Sequence, residues 1–552
     1  MSKDLHGLGV STGSATGPAA RLGTPPKLPE AAPATADPGA EADRAVAALE
    51  AVGEFLRRRG AAATGQAGDV LAAEAMMACD PALATKVRGL AAAGRPAAWA
   101  VSEALASYRE MLTSAGGYLA ERAADLDDIT DRTVALLLGK PMPGIPDPGH
   151  PFVLVAAELA PADTATLDPA TVLAIVTERG GPTTHTAILA KTLGIPAVVS
   201  CPGILTIPDG TPVAVDGSAG AVLIEPTAEQ VQQAARRRAE RAARLAAAHG
   251  PGRTSDGHPV KLLANIGGPA DVPAAVAADA EGVGLLRTEF LFLDRHDEPS
   301  GGEQRATYAE ILAGMGGRKV VVRTLDAGAD KPLVFASQQA EPNPALGLRG
   351  LRMDGLLPAL LDTQLEALAL AAKDTGADVW VMAPMVSIPA EAAAFAGRAR
   401  EHGLPVAGVM IEVPAAALCA AQIFDQVDFV SLGTNDLSQY TFAADRQAGA
   451  LAPLLDPWQP ALLRLIAMTA DAGQATGKPA GVCGEAASDP LLAVVLAGLG
   501  VTSLSMAPPS LAEVRAALAE RTLAECQAAA ASALAAATPV AARTAARTAA
   551  ER

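Results

Sequence analysis

AGVMIEVPAAALCAAQIFDQVDFVSLGTND, residues 407–436, decides the fold. Two short apolar runs, AGVMIEVP (407–414) and FVSLGTND (429–436), read as strands, and the alanine-rich stretch between them reads as helix. The unit recurs through the last 300 residues: VKLLANI (260–266), GVGLLRTE (282–289), KVVVRTLD (319–326), VWVMAPMV (379–386), AGVCGEA (480–486) and VTSLSMA (501–507) complete a set of eight strand candidates alternating with helices. Eight such units predict a TIM (β/α)8 barrel, whose active site lies at the C-terminal ends of its strands. Polar residues gather where that rule requires. Arg287 ends the second strand candidate, Arg323 the third with Asp326 just after it, Glu412 the fifth, Asn435 and Asp436 the sixth and Cys483 the seventh, while Arg446 follows in the next loop.

Upstream, the pattern changes twice. Residues 38–140 are rich in Ala, Leu, Glu and Arg, and segments such as AEADRAVAALEAVGEFLRRR repeat apolar residues at helical spacing, which predicts a helical bundle. PMPGIPDPGHP (141–151) is a boundary of proline and glycine. Beyond it FVLVAAEL, VLAIVTE, IPAVVSC, PVAVDG and AVLIEP predict five strands of a small α/β domain, with one helix opening at His185 in GGPTTHTAILAKTLGIPAVV (180–199). The arginine-bearing TAEQVQQAARRRAERAARLAAAHG (227–250) reads as a solvated linker helix. The alanine-rich stretch from 528 onward reads as a low-complexity tail prone to fraying.

A length of 552 residues implies about three or four domains. The net charge of −17 argues against a nucleic-acid binder. Cys79, Cys201, Cys419, Cys483 and Cys526 are scattered without CxxC spacing, as expected of reduced thiols in the cytoplasm. No signal-like or membrane-length apolar run is present, so neither membrane insertion nor export is expected. The rim chemistry points to a small anion. Guanidinium groups clamp phosphate and carboxylate, and a pair of carboxylates such as Glu412 and Asp436, with oxygen-only ligands, suits magnesium shared with a substrate phosphate. A phosphate ester that also bears a carboxylate would be brought near neutrality by three arginines, one divalent cation and two acids.

Taken in order, GVSTGSATGPA, GGPTTHTAILAKTLGIPAVV, GVGLLRTEFLFLDR, VVVRTLDAGADK, NPALGLRGLR, VMIEVPAA, DFVSLGTNDLSQYTFAADR and GVCGEAASDP resemble the phosphoenolpyruvate-protein phosphotransferases, the Enzyme I family of the sugar phosphotransferase system. The resemblance implies a swivelling phosphohistidine domain (1–24 and 141–226) with an inserted helical subdomain (25–140) that docks the phosphocarrier protein HPr. A linker helix (227–254), a barrel that binds phosphoenolpyruvate (255–527) and the tail (528–552) would follow. It implies that His185 carries the phosphoryl group on Nε2, that Arg287, Arg323, Asn435, Asp436 and Arg446 bind phosphoenolpyruvate with Lys331 and Arg349 in support, that Glu412 and Asp436 hold magnesium, and that Cys483 protonates the enolate to give pyruvate. Homodimerisation through the barrel is implied as well. Pro182 departs from the Arg or Met that many relatives place after the glycine pair, which bears on phosphate contact there and not on the nucleophile. Two other readings compete: a phosphoenolpyruvate synthase or pyruvate phosphate dikinase, for whose ATP-binding domain about 100 helical residues are too few, and a catalytically silent regulatory relative.

Overall fold

The computed structural model describes residues 3–550 apart from 24, 30, 31, 34, 36, 63–73, 116–122, 141–142, 160–166, 182–184, 294, 329–332, 334, 336–340, 342 and 447–448. Pro182 and Lys331 lie outside the described residues. The chain forms two compact units, and the principal division falls between Arg236 and Arg237.

In the first unit an eight-stranded sheet carries the order β1-β8-β7-β3-β4-β5-β6-β2. Five of its strands are those expected from the short apolar runs: β4 (Phe152–Ala156), β5 (Val172–Thr177), β6 (Ala197–Val199), β7 (Pro212–Asp216) and β8 (Ala221–Ile224). The other three, β1 (Lys3–His6), β2 (Leu8–Ser11) and β3 (Ser14–Arg21), come from the glycine-punctuated start, whose composition carries no strand signal. β3 is central all the same. It pairs antiparallel with β7 over Ser14–Pro18 and parallel with β4 over Ala19–Arg21, so its backbone partners stand in for apolar side chains.

Between β3 and β4 are helices α1 (Pro38–Ala62), α2 (Pro81–Ala92), α3 (Ala97–Ala115) and α4 (Ala123–Leu137). They bury their own stripe, with Leu49, Val52, Leu56, Val87, Val101, Leu105 and Ile129 in one cluster. The alanines between these residues permit close approach: a Cβ on Gly53 of α1 would lie 2.3 Å from the Cys79 sulfur. α5 (His185–Leu193) begins at the singled-out histidine, and α6 (Ala228–Ala247) contains no buried residue, as expected of a solvated linker.

The second unit is the barrel. β9 (Lys261–Ile266), β10 (Gly282–Leu286), β11 (Lys319–Arg323), β12 (Val379–Ala383), β13 (Val406–Ile411), β14 (Phe429–Gly433), β15 (Ala480–Cys483) and β16 (Ser503–Met506) close through β16 pairing with β9, every neighbour parallel. All eight strand candidates are present. Along β13 Val409 and Ile411 face the helices with Val283, Val381 and Val430, whereas Met410 joins Leu285, Val321, Met382, Phe429 and Cys483 inside. The period of two is that of a pleated strand.

The expectation of a fraying tail is corrected here. Helix Leu523–Leu534 runs across the anticipated boundary at 527/528, helix Pro539–Ala550 follows, and Ala529, Ala530, Ala533, Ala542, Ala546 and Ala550 are buried in the barrel's core cluster. Alanine at spacing three to four is a packing surface, because helices without bulk approach closely and alanine is the best helix former. Among the described residues no helix is long and apolar enough to cross a membrane.

Candidate active site

Strand pleating decides which side chains reach the barrel mouth. Arg323 stands two residues beyond interior Val321, Arg287 two beyond Leu285 and Glu412 two beyond Met410, so each continues an inward-facing row past the last apolar layer. They line a cavity of about 460 Å³ together with Glu289, Phe290, Asp326, Asn435, Asp436, Arg446 and Cys483. Asn435 and Asp436 arrive by another device. β14 passes directly into helix Thr434–Phe442, placing both in its first turn, where free N–H groups and the helix dipole favour negative charge.

Arg323 is 6 % exposed and is pinned by two acids. One guanidinium nitrogen, Nη2, donates to Glu289 Oε1, and Nη1 lies 3.1 Å from Asp326 Oδ2. Burial alone would make this guanidinium easier to deprotonate, but the charges of Glu289 and Asp326 outweigh it and hold its pKa above the ordinary arginine value. Arg349, expected in support of the substrate-binding groups, stands beside the acids rather than on the cavity lining. Only 1 % exposed, it makes a two-pronged contact with Asp326 (Nε to Oδ1 and Nη2 to Oδ2, both 2.9 Å) and donates from Nη1 to Asp436 Oδ1 at 2.9 Å. It stands behind the cavity wall, orienting the acids. Arg446 Nη1 is 3.7 Å from Asp436 Oδ2, and Asn435 lines the same wall.

Glu412 is fully buried. Its Oε1 accepts from the Met385 N–H at 2.6 Å, whereas Oε2 has no hydrogen-bond partner and lies over Gly433, where a Cβ would be only 2.8 Å away. Burial, then the neighbouring Asp436 and Asp326 charges, push this carboxyl well above the usual range. An unpartnered buried oxygen facing a second carboxylate, with oxygen donors only, fits a hard divalent cation.

Cys483 closes the floor at 2 % exposure. Its sulfur accepts from Ser431 Oγ at 3.4 Å and faces the Leu432 carbonyl at 3.5 Å. Burial raises this thiol, so it stays protonated. After it Gly484 turns at φ +107°, a conformation that favours glycine, and the Cys483 carbonyl accepts from the Thr434 hydroxyl at 3.2 Å. The remaining cysteines are also free thiols, with Cys201 and Cys526 buried in cores.

Sequence reasoning assigned no role to Glu289 and none to Asp326 beyond its position. The cavity therefore carries four acids against three lining arginines, rather than the two acids of the charge balance drawn from the motifs. Glu289 lies two residues past Arg287 in LLRTEF, a spacing that offered a signal for it. His185 is the first residue of α5 in the other unit.

The PEP-utilising enzyme profiles match this chain in three parts: the PEP-binding domain over residues 241–523, the mobile domain over 148–220 and the N-terminal domain over 6–122. A phosphoenolpyruvate-protein phosphotransferase of Streptomyces coelicolor is 57 % identical over 549 residues, which is 99 % of each chain. Its counterpart in Haloferax volcanii is 41 % identical over 81 % of each chain, and that of Bacillus subtilis is 36 % identical over 95 % of this chain and 96 % of its own. The parallel barrel with its arginine-and-acid mouth and these full-length likenesses agree: the chain belongs to the PEP-utilising enzymes, within them to the phosphoenolpyruvate-protein phosphotransferases.

Proposed function

We propose that this chain takes the phosphoryl group of phosphoenolpyruvate onto His185, releases pyruvate, and passes the group to a histidine of the phosphocarrier protein HPr, the first step of the sugar phosphotransferase system in the cytoplasm. The observation that carries this reading is the convergence of Arg287, Arg323 and Arg446 with Glu412, Asp436 and Cys483 on one cavity. A dikinase would need an ATP-binding domain, and the match of residues 6–122 to the N-terminal domain of the family favours the phosphotransferase instead.

Phosphoryl transfer needs position and charge neutralisation more than covalent help. Arg287 and Arg446 grip the phosphate and carboxylate, and Arg323, held by Glu289 and Asp326, presents a fixed edge to them. Glu412 and Asp436 would hold Mg2+, which supplies positive charge against the phosphate oxygens when bound. Asn435 orients the carboxylate end. His185, the first residue of α5, is the nucleophile, and the helix N–H groups favour the phosphate it takes up. Loss of the phosphoryl group leaves enolpyruvate, and Cys483 delivers the proton to its C3. Arg349 acts through Asp326 and Asp436, and Lys331 adds positive charge in support. Helices α1–α4 form the docking surface for HPr, and the barrel is the dimerisation unit.

Incubation with magnesium and labelled phosphoenolpyruvate should give an acid-labile, base-stable phosphoryl group that His185→Ala abolishes. Label retained by that variant sinks the assignment.

A further inference from the structure

The interior of a TIM barrel is ordinarily filled by branched apolar side chains. Here its lower layers are polar on one side. Ser503 and Ser505 on β16 face glycines across the barrel interior: a Cβ on Gly481 of β15 would lie 2.5 Å from Ser503 Oγ, and one on Gly284 of β10 would lie 2.5 Å from Ser505 Oγ. These hydroxyls and that of Ser431 border a second cavity of about 20 Å³, distinct from the mouth, which Lys319 also borders at the N-terminal end of β11. That volume holds about one water, since a cavity admits one at roughly 10–15 Å³ when two to four polar partners line it. The same Ser431 donates its hydroxyl to the Cys483 sulfur at 3.4 Å. Cys483 thus lies between two compartments, lining the mouth with its thiol and touching the inner cavity through Ser431.

We propose that Ser431 is the positioning residue through which Cys483 regains its proton, drawn from water in the inner cavity rather than from the substrate mouth. The inference rests on the reading of Cys483 as the acid. In each turnover the S–H bond breaks as the enolate's electron pair forms a C–H bond at C3, leaving pyruvate and a thiolate. The thiolate takes the Ser431 hydroxyl proton while that oxygen takes one from the cavity water, which is restored by a proton from solvent. One solvent proton is consumed per pyruvate, and no oxidant or reductant is involved. The arrangement gives the buried sulfur a proton source apart from the substrate mouth.

The test compares the first turnover with later ones, using phosphoenolpyruvate, magnesium and HPr as acceptor. Ser431→Ala should form its first equivalent of pyruvate at the native rate, because the thiol starts protonated, and then slow by about tenfold or more. Ser431→Thr should restore the later turnovers. Native later turnovers in Ser431→Ala overturn the route, and so does equal slowing of first and later turnovers, which marks a residue that only shapes the site. Should Ser431→Ala fail to fold, Ser503→Val fills the cavity with methyl groups and leaves the thiol's own contacts in place; native later turnovers there also overturn it. Cys483→Ala separates the two readings. Unchanged pyruvate formation in that variant removes the acid assignment itself, whereas slow Cys483→Ala beside native Ser431→Ala removes the relay alone.

Discussion

Arg323 and Glu289 show what single residues contribute at the mouth. Their pairing leaves two buried atoms, Arg323 Nε and Glu289 Oε2, without hydrogen-bond partners. An unsatisfied buried polar atom costs about 1–3 kcal/mol, a cost tolerated where the group has another use, here an open guanidinium edge presented to an anion. Glu289→Gln keeps the shape and removes the charge that orients Arg323. A charge-assisted bond is worth about 1.5–3 kcal/mol, so kcat/KM for phosphoenolpyruvate should fall by roughly tenfold or more, mostly through KM. Steady-state kinetics with unchanged kcat/KM would reject this role.

Among elements, the C-terminal helices show how composition misleads. Asp489 begins helix Pro490–Gly498, accepting from the Leu491 and Leu492 N–H groups, and also receives Trp458 Nε1 at 3.1 Å and Arg543 Nη2 at 2.8 Å from helix Pro539–Ala550. One carboxylate thus caps one helix and fastens another. Burial pushes it upward, yet Arg543, Trp458 and the backbone donors outweigh burial and hold it below the usual carboxylate range. A depressed folded value means that its stabilisation is present above the unfolded value of about 3.9 and is lost as pH falls through the folded one. Asp489→Ala should cost about 2 kcal/mol at neutral pH, and the deficit should shrink below pH ~4 as the native group protonates. Denaturant melts at pH 7 and pH 3 measure both; an equal deficit at the two pH values would count against the ion pair.

At the scale of the whole molecule, the barrel's core cluster draws only on residues 260–550. Its anchors to α6 lie in that helix's second half, where Arg241 pairs with Glu513 and Arg244 Nη1 lies 3.2 Å from Glu520 Oε1. Arg515 donates to the carbonyl oxygens of Ala248 at 3.1 Å and Asp279 at 2.7 Å, fastening the chain just beyond. A fragment spanning 237–552 should therefore unfold cooperatively and bind phosphoenolpyruvate with magnesium while accepting no phosphoryl group, since His185 is absent. Calorimetry and label incorporation check this; a fragment without a cooperative transition would show that its core needs the first unit.

The barrel was legible because its strands are short apolar runs, several of them followed by a polar residue at the C-terminal end, and both signals are local. Arg287, Arg323, Glu412, Asn435, Asp436, Arg446 and Cys483 could be placed at the mouth for the same reason: a strand's end and its inward face follow from position along the chain. The N-terminal strands escaped notice because β3's small side chains carry no strand pattern and its backbone partners lie far along the chain. The tail escaped because alanine spacing is informative only once a neighbouring helix receives it. The division of labour among the charges was likewise a tertiary outcome. That Arg349 serves Asp326 and Asp436, that Glu289 holds Arg323, and that Ser431 touches Cys483 depend on side chains from different strands meeting at distances of a few ångströms. By itself the sequence determined the order of the barrel's elements and most of the residues that reach the mouth, because those are properties of short segments. Only the closed barrel decided which of them pair with one another and which remain for a ligand, because pairing is set by contacts between segments distant in the chain.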